Sequence, residues 1–289
     1  MEVWALRDED LFLYAWASQL EPGQWVLDAG SGPGSFPAFT FPCSVVALDE
    51  DRDAFQTAVT PAPPRHHRAF GRSDRMPFDG ASFDLVICHH SLEHIVEIDK
   101  TLSEIERVLK PKGRFYVAVP NGHGLCDAIY RFVFEGGGHV NRFHRSEVVS
   151  LIESRVGTRL VRWSKLYSSF AYLWRLDELL STPPTDLSKR LLAFRRLPRG
   201  ALRVFQWLLY VGTRLLDRVF GTDLAVYGWV FYFERSEEPV EEDPAYLNVC
   251  RNCGAGAEAA SLKRSSRFTY RCGICDTVNP YFRPFENTI

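Results

Sequence analysis

The sequence lacks the features that most directly reveal a cellular location or a class of partner. The formal net charge is −2 over 289 residues, so no overall excess of charge indicates nucleic acid or a membrane, although this sum averages over local patches. The longest run without charged or hydrogen-bonding polar side chains, tyrosine apart, extends from Leu224 to Phe233. A helix of that length is too short to cross a bilayer, which takes about 20 residues.

A secretory signal and a disulfide framework are also missing. Acidic residues occupy the N-terminal region where a signal peptide is basic, and no small-residue cleavage site follows. The seven cysteines form two C-x-x-C pairs and three single positions, Cys43, Cys88 and Cys126. An odd number with clustered pairs favours reduced thiols and a bound metal over disulfides. We therefore expect a soluble, cytoplasmic protein, with peripheral attachment to a membrane left open.

Strands and helices alternate through the first part of the chain. The predicted strands are 24–30, 44–50, 66–70, 82–90, 114–121, 159–167 and 225–234. The predicted helices are 8–20, 35–40, 51–59, 100–113 and 145–157. This alternation predicts an α/β fold, a doubly wound, Rossmann-like parallel sheet. Residues 168–224 form a long insertion before the last strand, where a short hairpin would suffice.

A glycine-rich loop follows the first predicted strand in the segment VLDAGSGPG. Such glycines let the backbone turn tightly and bring its N–H groups against a ligand at a helix N-terminus. The glycines are Gly30, Gly32 and Gly34, so their spacing differs from the G-x-G-x-x-G of dinucleotide-binding loops. Asp28, at the end of the strand, suits a ligand that carries an ammonium group. The alternative is a tight strand-to-helix turn without a ligand.

Four motifs in order resemble those of the class I S-adenosylmethionine-dependent methyltransferases. They are VLDAGSGPG, VVALDE, the segment RMPFDGASFDLVICHHSLEHI, and VLKPKGRFYVAVPN, and the resemblance covers residues 20 to about 165. In that family the glycine loop surrounds the methionine and ribose of the cofactor, and an acid after the second strand, here Asp49, accepts from both ribose hydroxyls. The implied cofactor-binding residues are Asp28, Gly30, Ser31, Gly32, Gly34, Asp49, Glu50, Ser73, Asp74 and His89.

One position departs from the family pattern. The family often places an acid five residues before the proline of the PF segment, where it contacts the adenine amino group. Arg72 stands there in this chain. Either Asp74 or the backbone of Ser73 then replaces that acid, or the adenine is held mainly by stacking.

Histidines near the strand ends are the candidate catalytic residues. An imidazole with a pKa of ~6.5 is a suitable base at neutral pH for removing a proton from a hydroxyl or an acidic carbon. His90 follows the fourth strand, and His139 lies in HVNRF, a segment that resembles one found after the fifth strand of many small-molecule and glycan methyltransferases. His94 is interpreted as structural. The alternative for every one of them is a hydrogen-bonded loop residue.

The insertion contains a basic amphipathic segment. From Asp186 to Phe220 there are eight Lys or Arg residues and two Asp, and residues 199–220 place polar and apolar side chains on different helical faces. This pattern fits a peripheral membrane helix or an apolar lid over the acceptor, which hints at a lipid or a lipid-linked acceptor. It also fits a helix that packs on the core with a solvated basic face.

The C-terminal segment predicts a structural zinc site. Residues 1–235 are interpreted as the methyltransferase domain, 236–246 as an acidic linker, and 247–289 as a zinc ribbon. Cys250, Cys253, Cys272 and Cys275 have the spacing C-x2-C-x18-C-x2-C, which suits one tetrahedral Zn²⁺ with no open position. Basic residues in this segment leave docking to nucleic acid or protein as an alternative role.

Three functional hypotheses follow. The first is methyl transfer to a small-molecule, lipid-linked or glycan acceptor, by O- or C-methylation. The second is an RNA methyltransferase that holds its substrate with the zinc ribbon and the basic helix. The third is a non-catalytic protein that binds S-adenosylmethionine. The sequence CHHSLEH after the fourth strand disfavours methylation of a base amine, because it lacks the NPPY-type motif that holds a planar amine.

Overall fold

A computed structural model describes most of the α/β region and parts of the C-terminal segment. It describes residues 20–32, 43–53, 65–133, 139–168, 170, 197–235, 248–250, 252–253, 255–257, 261–265 and 269–280. The predicted helices 8–20 and 35–40, Gly34, most of the helix 51–59, much of the insertion and the linker 236–246 lie outside these residues.

Seven strands form one twisted sheet. They are β1 (Trp25–Ala29), β2 (Ser44–Asp49), β3 (His66–Phe70), β4 (Phe83–His89), β5 (Leu109–Pro120), β6 (Arg159–Tyr167) and β7 (Val226–Glu234). Their order is β3-β2-β1-β4-β5-β7-β6. The doubly wound α/β fold is therefore confirmed. Strands β1 to β5 are parallel to one another, whereas β7 runs antiparallel to both β5 and β6.

Four helices are described, together with one turn of 3₁₀ helix at Leu92–His94. The helices are α1 (Ile98–Val108), α2 (Leu125–Val133), α3 (Arg145–Val156) and α4 (Arg199–Phe220). Helix α1 ends at Val108, shortly before Pro111 and Gly113, the residues predicted to end it, because Pro111 disfavours helical geometry at Lys110 and the chain enters β5. Helix α2 was not predicted from the sequence.

Side chains of the central strands are buried on both faces of the sheet. Successive residues of a strand point to opposite faces, so Val86 and Phe115 belong to one apolar cluster, whereas Leu85 and Tyr116 belong to the other. Apolar residues of α1 and α3 cover the first face, with Ile105 and other side chains fully buried. Burial on both faces makes the middle of the sheet a rigid support for the loops at its ends.

Helix α4 is long, and most of its apolar side chains are exposed. Only Leu202 and Thr213 are buried among its 22 residues, whereas Trp207 and Phe220 are 58% and 71% exposed. Arg214 lies with its guanidinium 3.8 Å from the centre of the Tyr167 ring, which links the helix to the end of β6. No helix in the described part of the chain has both the length and the apolar character of a membrane span.

The C-terminal segment contains short antiparallel strands. Strand β8 (Asn248–Val249) pairs with β9 (Gly256–Ala257), and β11 (Thr269–Arg271) lies between β10 (Lys263–Arg264) and β12 (Val278–Pro280). The proposed division into domains at 235 and 247 stays a prediction, since residues 236–247 are outside the described ranges.

Candidate functional site

The glycine loop and the acid after β2 meet at the carboxyl ends of their strands. The amide nitrogens of Gly30 and Ser31 donate to the Leu48 carbonyl oxygen at 2.9 and 3.1 Å. The Gly32 amide nitrogen donates to Asp49 Oδ2 at 2.6 Å. Gly30 and Gly32 have φ of 72° and 54°, a region that favours glycine. The structure thus brings together two features that the sequence places 17 residues apart.

The same loop packs against the residues that follow β4. A Cβ atom on Gly30 would lie 2.7 Å from Ser91 Cβ, and Ser91 Oγ donates to the Ala29 carbonyl oxygen at 2.9 Å. The chain winds away from β1 in one direction through β2 and β3, and in the other through β4 and β5. This is the topological switch point, where open α/β sheets bind ligands. Asp28 is buried at the end of β1 beside it.

Arg72 joins the acids on the far side of the loop. Its Nε and Nη2 atoms donate to Asp74 Oδ1 and Oδ2 at 2.8 and 2.7 Å, and Nη1 lies 3.9 Å from Glu50 Oε2. The hydrogen bonds from Arg72 lower the pKa of the Asp74 carboxyl. Ser73 is half-buried in the turn between them. Asp74 is thus near the predicted adenine position, but its carboxylate is engaged by Arg72.

Two adjacent histidines end β4. His89 is buried, with Nδ1 3.2 Å from the Tyr116 hydroxyl oxygen, so it has a structural contact in the sheet. His90 has a φ of 53°, which is unusual for a side chain with a Cβ, and its Nδ1 atom lies 3.5 Å from Glu93 Oε1. Such strain at the end of a strand is typical of functional positions.

His139 lies in a separate segment that the structure ties to the same turn. The amide nitrogens of Val140 and Asn141 donate to the Glu93 carbonyl oxygen at 2.8 and 3.0 Å. The Asn141 side chain donates to the carbonyl oxygens of Leu92 and Ile95 at 3.0 and 2.6 Å. The two candidate bases, His90 and His139, therefore flank one turn, although nothing in the fold assigns either of them to catalysis.

Helix α2 supplies buried polar groups next to His139 and the turn after β4. Asp127 Oδ1 lies 3.2 Å from His139 Nδ1, and Arg131 Nε lies 3.1 Å from Asp127 Oδ2. Burial, with the negative charges of Asp127 and Glu93, raises the pKa of the Tyr130 phenol. The ring of Tyr130 stacks on that of His139, with centroids 5.7 Å apart.

Sequence reasoning missed four residues that shape this site, Ser91, Glu93, Asp127 and Asn141. Glu93 stands in the quoted LEH motif and Asn141 in HVNRF, so both motifs were noticed for their histidines alone. Asp127 was hidden in a helix that went unrecognised. The apolar spacing of LCDAIYRFV was the available signal for that helix.

A second concave region opens beside β5, β6 and β7. Its volume is about 510 Å³, and its lining includes Asn121, His123, His144, Trp163 and Lys165. The rings of His123 and His144 stack with centroids 3.8 Å apart. Lys165 Nζ donates to Asp223 Oδ1 at 2.6 Å. Arg142, which also belongs to the HVNRF segment, donates from Nε to the Gly122 carbonyl oxygen at 2.8 Å.

The four cysteines of the C-terminal segment converge. Cys250 Sγ lies 3.4 Å from Cys275 Sγ, Cys253 Sγ lies 3.6 Å from Cys272 Sγ, and all four sulfur atoms are within 4.8 Å of one another. Hydrogen bonds, of which the one with the Thr277 side chain has the largest effect, lower the pKa of the Cys275 thiol to about 5. Four clustered sulfur donors fit a closed, tetrahedral metal site.

Comparisons with known proteins agree with this geometry. Residues 27–117 match the family model described as a methyltransferase domain. An uncharacterized methyltransferase of Bacillus subtilis, YcgJ, is 29% identical over 115 residues, which are 37% of this chain and 45% of that protein. The demethylmenaquinone methyltransferase of Renibacterium salmoninarum is 37% identical over 99 residues, which are 34% of this chain and 41% of the relative.

A solved structure is similar over a longer range. A geranyl diphosphate methyltransferase in complex with S-adenosylmethionine superposes with a TM-score of 0.50 at 14% identity, covering 78% of this chain and 84% of that one. This likeness shows the fold alone. The chain spans less than half the length of the two curated relatives, so their activities are not transferred by these matches.

Proposed function

We propose that this chain, whose residues 27–117 match the methyltransferase-domain family model, transfers a methyl group from S-adenosylmethionine to an apolar small-molecule acceptor. The transfer would be an O- or C-methylation. The sulfonium is an activated donor, so the protein mainly has to align the acceptor and accept its proton. His90 and His139 stay the candidate bases.

The contact between Gly32 and Asp49 is the observation that carries the proposal. Asp49 Oδ2 accepts from Gly32, and Oδ1 accepts from the Asp51 amide nitrogen at 2.8 Å, which fixes the carboxylate at the mouth of the loop. A fixed carboxylate can accept from two adjacent ribose hydroxyls, and Asp28 offers a negative charge for the methionine ammonium group. Both carboxylates lie at the switch point of the sheet.

Isothermal calorimetry tests the cofactor assignment. Asp49→Ala should weaken binding of S-adenosylmethionine at least tenfold, because hydrogen bonds to a charged group contribute about 1.5–3 kcal/mol each. Asp51→Ala is the matched control: it removes a neighbouring carboxylate while keeping the backbone donor, and its affinity should equal that of the parent. Equal affinities for the parent and Asp49→Ala would contradict the proposal.

The acceptor is proposed to be lipid-like because of α4. The insertion leaves the sheet from the end of β6 and returns at β7, and the exposed face of α4 is apolar with arginines beside it. An amphipathic helix of this kind binds the surface of anionic bilayers. A relative that acts on demethylmenaquinone, as its name states, supports an isoprenoid or quinone acceptor for this chain.

Vesicle sedimentation tests the membrane contact. The parent should bind phosphatidylserine vesicles, and the double variant Trp207→Ser, Phe220→Ser should bind at least tenfold more weakly, because two anchors from the apolar face are removed. Val161→Ser with Ile274→Ser replaces two exposed apolar residues elsewhere and serves as the control. Equal binding by the parent and the α4 variant would overturn this part of the proposal, and binding to total RNA that falls with salt would favour the RNA alternative.

We also propose that the four cysteines hold a structural Zn²⁺ and that the protein is cytoplasmic. The sulfur cluster leaves no position open for water, and its surrounding strands are too short to form an independent core. Cys43, Cys88 and Cys126 are buried and unlinked, which suits a reducing compartment.

A further inference from the structure

A second group of metal-ligating side chains lies beside the cofactor loop, apart from the cysteines. Ligand atoms of Glu93, His94 and His139 are within 4.8 Å of one another. Glu93 and His94 belong to the 3₁₀ turn after β4, whereas His139 comes from a different part of the chain. Val140 and Asn141, bonded to the Glu93 carbonyl oxygen, hold His139 against this turn. Backbone hydrogen bonds therefore bring the three side chains together.

We propose that Glu93, His94 and His139 bind a divalent transition metal ion of the Zn²⁺ type. His139 is then a ligand and not a base, which leaves His90 as the candidate base. Two imidazoles and one carboxylate are the protein ligands of several zinc sites that keep one position open for water or another oxygen ligand. Ligands of one Zn²⁺, each at about 2.0–2.2 Å, are separated by at most about 4 Å. The donors lie within 4.8 Å of one another, so they have to approach by no more than about 1 Å to reach such separations. His94 is exposed, so its ring can turn toward the ion without repacking the core.

Glu93 provides the clearest sign of a cation. Its side chain is only 2% exposed, and Oε2 has no hydrogen-bond partner among the described residues, whereas Oε1 lies 3.5 Å from His90 Nδ1. A buried carboxylate oxygen without a partner is costly, because it has lost its hydration. A metal ion on this oxygen would supply the missing charge.

Asp127 orients His139 in the way that metal sites require. A histidine that binds a metal through one ring nitrogen usually donates its other N–H to a carboxylate, which fixes the tautomer. Asp127 Oδ1 lies 3.2 Å from His139 Nδ1 and its side chain is 2% exposed, so Nε2 of His139 is the nitrogen left for a metal. Arg131, 3.1 Å from Asp127 Oδ2, balances the charge of Asp127.

The site lies where it could act on an acceptor. Ser91 packs on Gly30 and directly precedes the 3₁₀ turn that carries Glu93 and His94. The proposed metal site is therefore next to the glycine loop in space. An oxygen of the acceptor could occupy the open position. Metal binding does not depend on the methyltransferase assignment, so an experiment can contradict the metal site without contradicting methyl transfer, and the reverse.

Titration of the full-length chain with Co²⁺ tests the site. Cobalt bound to cysteines shows thiolate-to-metal charge-transfer absorption, whereas cobalt bound by histidine and carboxylate does not, so the two sites are distinguished within one sample. The parent should bind one equivalent of Co²⁺ whose absorption contains no thiolate-to-metal charge-transfer band. His94→Ala should lose this equivalent, and His123→Ala, which removes a histidine outside the cluster, should keep it.

Two further variants separate metal binding from structural damage. Asp127→Asn should lower the affinity for this Co²⁺ ion by about 10- to 100-fold, because the variant loses the carboxylate that holds the His139 ring in place. Cys253→Ser should leave it unchanged while reducing the thiolate band. Circular dichroism of His94→Ala should match the parent, since this side chain is exposed. The proposal is overturned if every bound Co²⁺ in the parent gives the thiolate band, or if His94→Ala binds as many ions as the parent.

Discussion

Gly30 lies against Ser91 so closely that the two residues admit no additional atom between them. A Cβ on Gly30 would be 2.7 Å from Ser91 Cβ, and the Gly30 backbone has a φ of 72°. The contact couples the end of β1 to the turn after β4 that carries Glu93 and His94. The glycine loop and the turn after β4 are thus parts of one packed unit.

Gly30→Ala should therefore destabilise the protein more than the same change at Gly32. Both positions have positive φ, which costs a residue with a Cβ about 1–3 kcal/mol, but a Cβ on Gly32 would meet no atom of the described residues within 4 Å. The overpacking at Gly30 should lower the free energy of unfolding by about 1–3 kcal/mol more. Urea denaturation compares the two variants, and equal losses would show that the Ser91 contact is unimportant.

Asp217 should anchor the end of α4. Its Oδ1 accepts from the Leu224 amide nitrogen and the Thr222 hydroxyl, each at 2.7 Å, and its Oδ2 accepts from the Ala225 amide nitrogen at 2.8 Å. Asp217→Ala leaves these donors without the carboxylate, so we expect a loss of about 2–3 kcal/mol in the free energy of unfolding. Arg218→Ala is the control on the same turn. Thermal or urea unfolding that is unchanged in Asp217→Ala would contradict the prediction.

Glu234 should make stability fall as the pH rises. Burial raises the pKa of its carboxyl above the ordinary 4.5, against the opposing charges of Arg114 and Arg159. The folded protein therefore holds this proton more tightly than the unfolded chain, and the free energy of unfolding decreases from about pH 4.5 upward until the raised folded pKa is passed.

Glu234→Gln should remove that part of the pH dependence, because the amide does not titrate. Urea unfolding at a series of pH values measures the slope, and the slope distinguishes this effect from a general loss of stability. Parallel profiles for the parent and Glu234→Gln would show that Glu234 is not responsible.

Loss of the Zn²⁺ proposed at the four cysteines should unfold the C-terminal segment alone. Cys253 is exposed, so Cys253→Ser removes a ligand without opening the core. We expect amide protection to disappear across 248–280 and to persist in the central sheet, because the short strands β8 to β12 have little core of their own. Hydrogen exchange followed by mass spectrometry measures both regions. Cys126→Ser, in the α/β region, should leave protection in 248–280 intact.

Much of the sheet could be predicted because its strands are short apolar runs bounded by loops. The bounds of β3 and β6 agree with the sequence-based prediction, and those of β2 differ by one residue. The direction of β7 could not be predicted from periodicity, because parallel and antiparallel pairing bury the same side chains. The end of α1 could be predicted from Pro111, which redirects the backbone although helical apolar spacing continues to Leu109.

The site was predictable where a local pattern carries the chemistry. Gly32 and Asp49 follow from two motifs, and the cysteines follow from their spacing. The group around Glu93 was not predictable, because His139 and Asp127 approach it only through tertiary contacts. A buried acid and an exposed histidine in one short turn gave no sign in the sequence of which partners they would meet.

Because β6 and β7 are antiparallel neighbours, the two ends of the insertion lie side by side. Tyr167 pairs with Val226, and the Ser168 amide nitrogen donates to the Ala225 carbonyl oxygen at 2.8 Å, so the chain departs and returns at adjacent points. Loop-closure entropy grows slowly with length, so this hairpin tolerates long or short contents at little cost to the sheet. Residues 168–224 can thus be exchanged while the strands that support the glycine loop keep their pairing.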